Sequence, residues 1–284
     1  MTDNTATSMI GPRIGRLVTF VWLPIALIAL VFILTANSTN IYFPPATHVM
    51  DTIFRGFTEG QLGADLGYSM VNFFAGYLIA AVIGIAVGLF LGEQAALRDA
   101  AQPLLNFVRA LPFVALVPIF ITALGIGAGP KIALIALGCV WPVLLHTTDG
   151  VRGIAPSILE TSRSYRIRNE LRLRRVTLMG ALPQIFAGLR IALSVGIVMV
   201  VVSEMFGSAE GIGYYILFSG QRFAVAETWA GTITLAAVGY LVNVVFMWIE
   251  HLALGWYERR PGRQKPKAKV SARSSQISQR GPHS

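Results

Sequence analysis

Six stretches of this chain, each roughly as long as a lipid bilayer is thick, contain almost no charged residue. They are residues 17–36, 69–91, 103–124, 132–147, 185–206 and 229–251. A helix needs about 20 mostly apolar residues to cross the hydrocarbon core. The predicted fold class is therefore all-α: a polytopic membrane protein with six transmembrane helices. Composition agrees. Of 284 residues, 54% are hydrophobic and only 13% charged, against about 25% charged in a soluble globular chain. That balance excludes intrinsic disorder, a disulfide-rich secreted scaffold and a collagen-like chain. A lone cysteine, Cys139, excludes an internal disulfide and a Cys-based zinc site. It sits in an apolar run and reads as a small core residue.

The net charge of +9 would suggest nucleic acid in a soluble protein. Its distribution gives another explanation. Lys and Arg accumulate on the cytoplasmic side of membrane proteins. With a cytoplasmic N-terminus, all but Arg55, Lys131 and Arg222 of the 23 Lys and Arg fall inside or at the inner span ends. Six spans then place both termini in the cytoplasm. Anionic lipid on that leaflet attracts such residues, and no nucleic acid is needed. Arg13 and Arg16 precede the first span as in a signal peptide, but its 20-residue apolar run exceeds the usual signal core. It is read as an uncleaved helix. The expected organisation is a cytoplasmic N-terminus over 1–16, a membrane domain over 17–255 with a cytoplasmic loop at 149–184, and a basic tail over 256–284. The tail has too few large apolar residues to fold.

Catalytic chemistry is missing. None of the four lysines follows glycine, so there is no phosphate-binding loop. G-x-G-x-x-G, H-E-x-x-H and G-x-S-x-G are absent too. Histidines at 48, 146, 251 and 283 are far apart in sequence, and no metal site is expected. Ion-coupled carriers usually hold ionisable residues at membrane depth. Here the spans carry few: Glu204 lies at the outer end of the fifth and Glu250 at the inner end of the sixth. Arg109, Asn106 and Arg190 are read first as anchors of the inner span ends, and second as groups attracting an anion.

Two spans have internal features. In the second, Gly76, Ala80, Gly84, Gly88 and Gly92 recur every four residues, a small-residue face suited to close helix packing. In the third, Pro112 and Pro118 interrupt the helical ladder. Such breaks are tolerated where protein or a water-lined cavity covers them. This helix is read either as lining a solute path or as a kinked structural element.

The loop DGVRGIAPSILETSRSYRIRNELRLRRVTLMGALPQ holds two short helices. One spans 156–165 with Pro156 near its start. The other begins at Asn169, a candidate N-cap. The loop resembles the coupling segment of permease subunits of bacterial ATP-binding-cassette importers, the binding-protein-dependent inner-membrane components. In that family the loop reads E-A-A-x-x-x-G, nine residues, then I-x-L-P. Glu160-Thr161-Ser162 matches the opening, and Val176-x-Leu178 the later part. The blocks LPQIFAGLRIAL and DGVRGI resemble the taurine/alkanesulfonate/nitrate branch. So do YFPP, GYLIAAVIGIAVGLFLG, RALPFVALVPIFITALGIG and EMFGSAEGIGYYI, in the correct order. Two positions depart: Arg166 stands at the motif glycine and Met179 at the motif proline. Asn169, which tolerates left-handed conformations, is expected to take over the turn.

The resemblance implies a type I ABC importer (MetI-like) permease fold and a transport subunit rather than an enzyme. It implies a homodimeric path, two ATPase subunits beneath it, and an extracytoplasmic substrate-binding protein above. ATP and Mg would bind the partner ATPase, and this chain would bind no cofactor. The coupling helix would dock the ATPase through Pro156, Ser157, Glu160, Thr161, Ser162, Tyr165, Arg166 and Arg168. The path or gate would involve Pro112, Phe113, Pro118, Glu204 and Met205. Gly76, Gly84, Gly88 and Gly92 would serve packing. The implied substrate is a small organic anion such as a sulfonate or taurine, or nitrate. An aromatic or thiamine-precursor-like solute is the alternative.

Overall fold

The computed structural model describes residues 11–258. In chain order the helices are α1 (Gly11–Thr35), α2 (Ala46–Thr58), α3 (Leu62–Glu93), α4 (Ala95–Arg109), α5 (Val117–Leu124), α6 (Ala128–Arg152), α7 (Pro156–Ser164), α8 (Asn169–Arg172), α9 (Leu178–Gly207), α10 (Ile212–Gln221) and α11 (Val225–Glu258). A 3-10 turn, Phe113–Leu116, precedes α5, and a π turn, Leu173–Thr177, precedes α9. Among the described residues there is no strand.

Among the described residues four continuous helical stretches are long and apolar enough to cross a membrane: Leu62–Glu93, Ala128–Arg152, Asn169–Gly207 and Val225–Gly255. The third sequence segment differs from the kinked single span expected. It comprises Ala95–Arg109 and Phe113–Leu124, bent by 79° at the break. The two prolines have different roles there. Pro112 is extended, at φ −75° and ψ 94°, and the residue before a proline avoids the helical region. The chain therefore breaks at 110–112. Pro118 instead stands in the first turn of α5, where its missing N–H leaves no bond unmade. The first segment lies within α1, whose apolar run among residues with described side chains is Ile25–Thr35. Helix α11 continues to Glu258, so the first three residues assigned to the tail belong to it. The remainder of the tail and residues 1–10 lie outside the described residues.

The core is built on α3, α6 and α9. Helix α3 presents its glycines to β-branched residues of α6. A Cβ at Gly76 would lie 2.7 Å from Ile135 Cβ, at Gly84 2.8 Å from Val143 Cβ, at Gly88 2.6 Å from Thr147 Cβ, and at Gly92 2.6 Å from Val151 Cβ. The backbones approach until only hydrogen fits between them. That proximity lets Thr148 Oγ1 donate to the Gly88 carbonyl at 3.3 Å. Helix α9 closes on the other side of α6. Cys139 is fully buried, and its Sγ donates to the Ala192 carbonyl at 3.2 Å. Phe73, Ile135, Val143, Ala192 and Val200 complete an apolar cluster with almost no exposed surface.

Candidate functional site

The segment between α6 and α9 forms an elbow at one end of the bundle. Its base is anchored. Ile154 is buried and packs over Gly180, where a Cβ would lie 2.9 Å from its Cδ1. Ala155 is extended, at ψ 130°, and Pro156 opens α7, since its fixed φ suits the first helical turn. Ser162 is buried on the inner face of α7, and its Oγ donates to the Leu159 carbonyl at 2.7 Å. Ser157, Glu160, Thr161 and Tyr165 are exposed, Tyr165 at 79%. Among the described residues Glu160 forms no ion pair.

The turn after α7 corrects the expectation placed on Asn169. Arg166 itself takes φ +49°. The Arg166 N–H donates to the Arg163 carbonyl at 2.9 Å, and the Ile167 N–H to the Ser162 carbonyl at 3.1 Å. These two bonds around a left-handed residue make a Schellman ending, with arginine where glycine is usual. Asn169 is not the N-cap either. Arg168 holds that position at φ −53° and ψ 137°, without a side-chain cap bond. From Asn169 the helix runs through the π turn into α9, so the second loop helix is an extension of a core helix. Thr177 Oγ1 in that turn donates to Glu93 Oε1 of α3 at 2.8 Å.

The residues expected on the path lie nearer the opposite end. Phe113 packs against the main core, and Val117 is fully buried. Ile121 of α5 lies against Gly207 of α9, where a Cβ would meet its Cδ1 at 2.5 Å. The broken segment is thus brought onto the end of α9. Met205 is half-buried. Glu204 is 1% exposed and is bonded within the bundle rather than presented at its surface.

Sequence reasoning missed the reason for that burial. Helix α10 begins after Gly211, at φ +110°, and has no cap from its own side chains. Three distant groups supply one. The Gly211 N–H donates to Asp65 Oδ1 at 2.8 Å, the Ile212 N–H to Ser69 Oγ at 2.8 Å, and the Gly213 N–H to Glu204 Oε2 at 2.9 Å. Ser69 Oγ donates in turn to Glu204 Oε2 at 2.8 Å. Helix N-termini leave N–H groups unpaired and favour negative charge, so two carboxylates and a hydroxyl suit this end. Buried Lys131 stands nearby. Its Nζ donates to Ser208 Oγ at 2.5 Å and to the Tyr68 hydroxyl at 3.2 Å. The sequence signal was the acidic and glycine-rich run at 204–213. The partners in α3 carry no local mark.

Of the other residues considered, Arg190 pairs with Glu250, joining α9 to α11. His146 Nδ1 lies 3.5 Å from Gln184 Oε1, and Asn106 accepts from Gln102 Nε2 at 3.1 Å. No group of three or more His, Cys, Asp or Glu among the described residues could hold a metal.

Long apolar helices, a core interlocked through glycine, and a helical elbow outside it define a polytopic membrane protein. The chain belongs to the family of binding-protein-dependent transport system inner membrane components, whose model matches residues 80–253. A Bacillus subtilis (strain 168) relative, provisionally named the aliphatic sulfonates transport permease protein SsuC, is 31% identical over 77% of this chain and 79% of its own. The bicarbonate transport system permease protein CmpB of Synechococcus elongatus (strain ATCC 33912 / PCC 7942 / FACHB-805) is 33% identical over 66% and 67%. Among solved structures, an inward-facing conformation of the MetNI methionine ABC transporter aligns with a TM-score of 0.58 at 21% identity. It covers 68% of this chain and 95% of that one, a likeness of fold. The family makes the chain a transport subunit of an ABC importer and not an enzyme; the ATPase is a separate subunit.

Proposed function

We propose that this chain carries a small anion, a sulfonate in the first instance, inward across the cytoplasmic membrane. Two copies form the path, a separate ATPase pair energises it, and an extracytoplasmic binding protein feeds it. Nitrate or bicarbonate falls in the same chemical class. The substrate class rests on relatives named for aliphatic sulfonates and bicarbonate. Both termini and the elbow face the cytoplasm, in keeping with the distribution of Lys and Arg.

One observation carries the reading: α7 is a short exposed helix whose two flanks run directly into α6 and α9 of the core. Such a lever transmits a displacement when its position differs between two states. Glu160, exposed and without an ion-pair partner among the described residues, supplies the charge for an ATPase groove. Arg166 and Arg168 flank it. A charge-assisted contact of this kind is stronger than a neutral hydrogen bond. Affinity purification of the tagged full chain with its candidate ATPase, followed by an ATP-hydrolysis assay, tests the reading. The wild type retains the ATPase, and Glu160→Ala loses it while remaining folded. Uptake that persists after deletion of every candidate ATPase gene refutes the importer reading.

A further inference from the structure

Behind α7, between the elbow and the ends of α3 and α6, lies a cavity of about 510 Å³. This is within the range of roughly 300–1,000 Å³ typical of ligand sites. Arginines from four separate elements line it: Arg98 of α4, Arg152 of α6, Arg163 of α7 and Arg172 of α8. Among the described residues Glu93 is the one carboxylate on its wall, and it already accepts from Thr177 Oγ1 at 2.8 Å. Arg98 pairs with Asp99 at 3.2 Å and Arg152 with Asp149 at 3.5 Å, but those carboxylates are 72% and 57% exposed. Pairs to such exposed partners neutralise little. Among the described residues Arg163 and Arg172 have no carboxylate within ion-pair distance. The Arg98 side chain is 18% exposed and that of Arg152 53%, Arg163 is exposed, and Val151, Ile154, Pro156 and Leu159 make part of the wall apolar. Low-dielectric walls strengthen any charge interaction between them.

A cluster of guanidinium groups in such a cavity calls for an anion with several oxygens. The planar fork of arginine matches phosphate geometry in two-point contacts. The cavity also sits where the apolar runs of α3 and α6 end, at Glu93 and Arg152, which is the level of lipid headgroups for a spanning helix. Basic pockets between helices at that level on the cytoplasmic side suit anionic headgroups. We infer that this cavity binds a phosphate group, with the phosphodiester of an anionic membrane lipid as its source. Arg163 and Arg172 hold it from the elbow, and Arg98 and Arg152 from the bundle. The bound phosphate ties α7 and α8 to α4 and α6, so occupancy stiffens the elbow. Binding itself does not depend on the transport reading given above; only its consequence for coupling does.

Native mass spectrometry of the full chain in mild detergent tests this, with dioctanoyl phosphatidylglycerol, dioctanoyl phosphatidylcholine and inorganic phosphate as probes. Phosphatidylglycerol is retained in preference to phosphatidylcholine. Arg163→Gln with Arg172→Gln weakens retention by roughly tenfold or more, since two contacts to a charged group are lost. Leu159→Trp fills the cavity with every charge kept and weakens retention as much, whereas Arg222→Gln, outside the cavity, leaves it unchanged. Phosphatidylglycerol that inorganic phosphate fails to displace assigns the lipid as source. Displacement by millimolar phosphate supports the phosphate site but assigns the free ion. The proposal is overturned if neither probe binds in preference to phosphatidylcholine, or if both cavity variants retain the lipid as the wild type does. Failure of the ATPase pull-down with lipid retention intact would count against the transport reading alone.

Discussion

Replacing Gly88 by alanine perturbs one of the tightest contacts between α3 and α6. The added Cβ would stand 2.6 Å from Thr147 Cβ, 2.8 Å from the Leu144 carbonyl oxygen and 2.9 Å from Thr147 Cγ2. Carbon atoms rest at about 3.5–4.0 Å, so α3 and α6 must part locally by about 1 Å. One of the blocking atoms is a backbone carbonyl and another a Cβ, and neither can rotate away. Overpacking of this kind costs about 1–3 kcal/mol. The separation also weakens the Thr148 bond to the Gly88 carbonyl. Alanine returns about 1 kcal/mol through helix propensity, leaving a net loss of up to about 2 kcal/mol. Gly67→Ala in the same helix is the control. Nothing lies within 4 Å of a Cβ there, so only the gain of up to about 1 kcal/mol applies. Two identical substitutions in one helix should therefore move stability in opposite directions. Thermal unfolding of the full chain in one detergent, followed by tryptophan fluorescence, reads the difference. At about 2–4 °C per kcal/mol, the midpoints separate by several degrees. A Gly88→Ala midpoint at or above that of Gly67→Ala would refute the interlocked packing.

Arg166→Gly should stabilise the protein by about 1 kcal/mol, because glycine removes the cost of a left-handed arginine. The check is a higher melting midpoint with slower amide exchange in α7. Ser69→Ala should destabilise by about 1–3 kcal/mol, since it leaves the buried Ile212 N–H without its acceptor. Amide exchange at the start of α10 should rise more than in α6. The Arg190–Glu250 pair, with side chains 47% and 18% exposed, should contribute no more than about 1 kcal/mol. A double-mutant cycle with Arg190→Gln and Glu250→Gln measures it, and a coupling near zero would mean the pair does not hold α9 to α11.

Elements carried by local spacing are legible in the sequence. The glycine repeat of α3 marks a helix face by itself, because four-residue spacing returns to one side of a helix. The helix opening at Pro156 is equally local. Features decided by register were only half legible. Pro112 and Pro118 look alike in sequence, and what separates them is which one a helix can begin around. Propensity favoured Asn169 for the turn, yet α7 ends two residues before Arg166, and the Schellman bonds fix the left-handed residue there. The partners that α3 supplies to the cap of α10 could not be read. Ser69 and Glu204 are 135 residues apart, and Asp65 and Gly211 are 146 apart; no spacing rule spans such distances.

The helix from Asn169 to Gly207 has a mechanical consequence. With the π turn included, it is one beam of 39 residues, about 58 Å long at 1.5 Å per residue. One end carries the turn after α7. Near the other, Glu204 accepts from the Gly213 N–H in the first turn of α10. Between them the beam is bedded in close-packed neighbours that do not deform continuously. A shift of this helix along its axis at Asn169 would reach Glu204, about 50 Å away, as in a push-rod. The capping bonds of α10 are where such a stroke arrives, and they are short directional contacts that can register a small one.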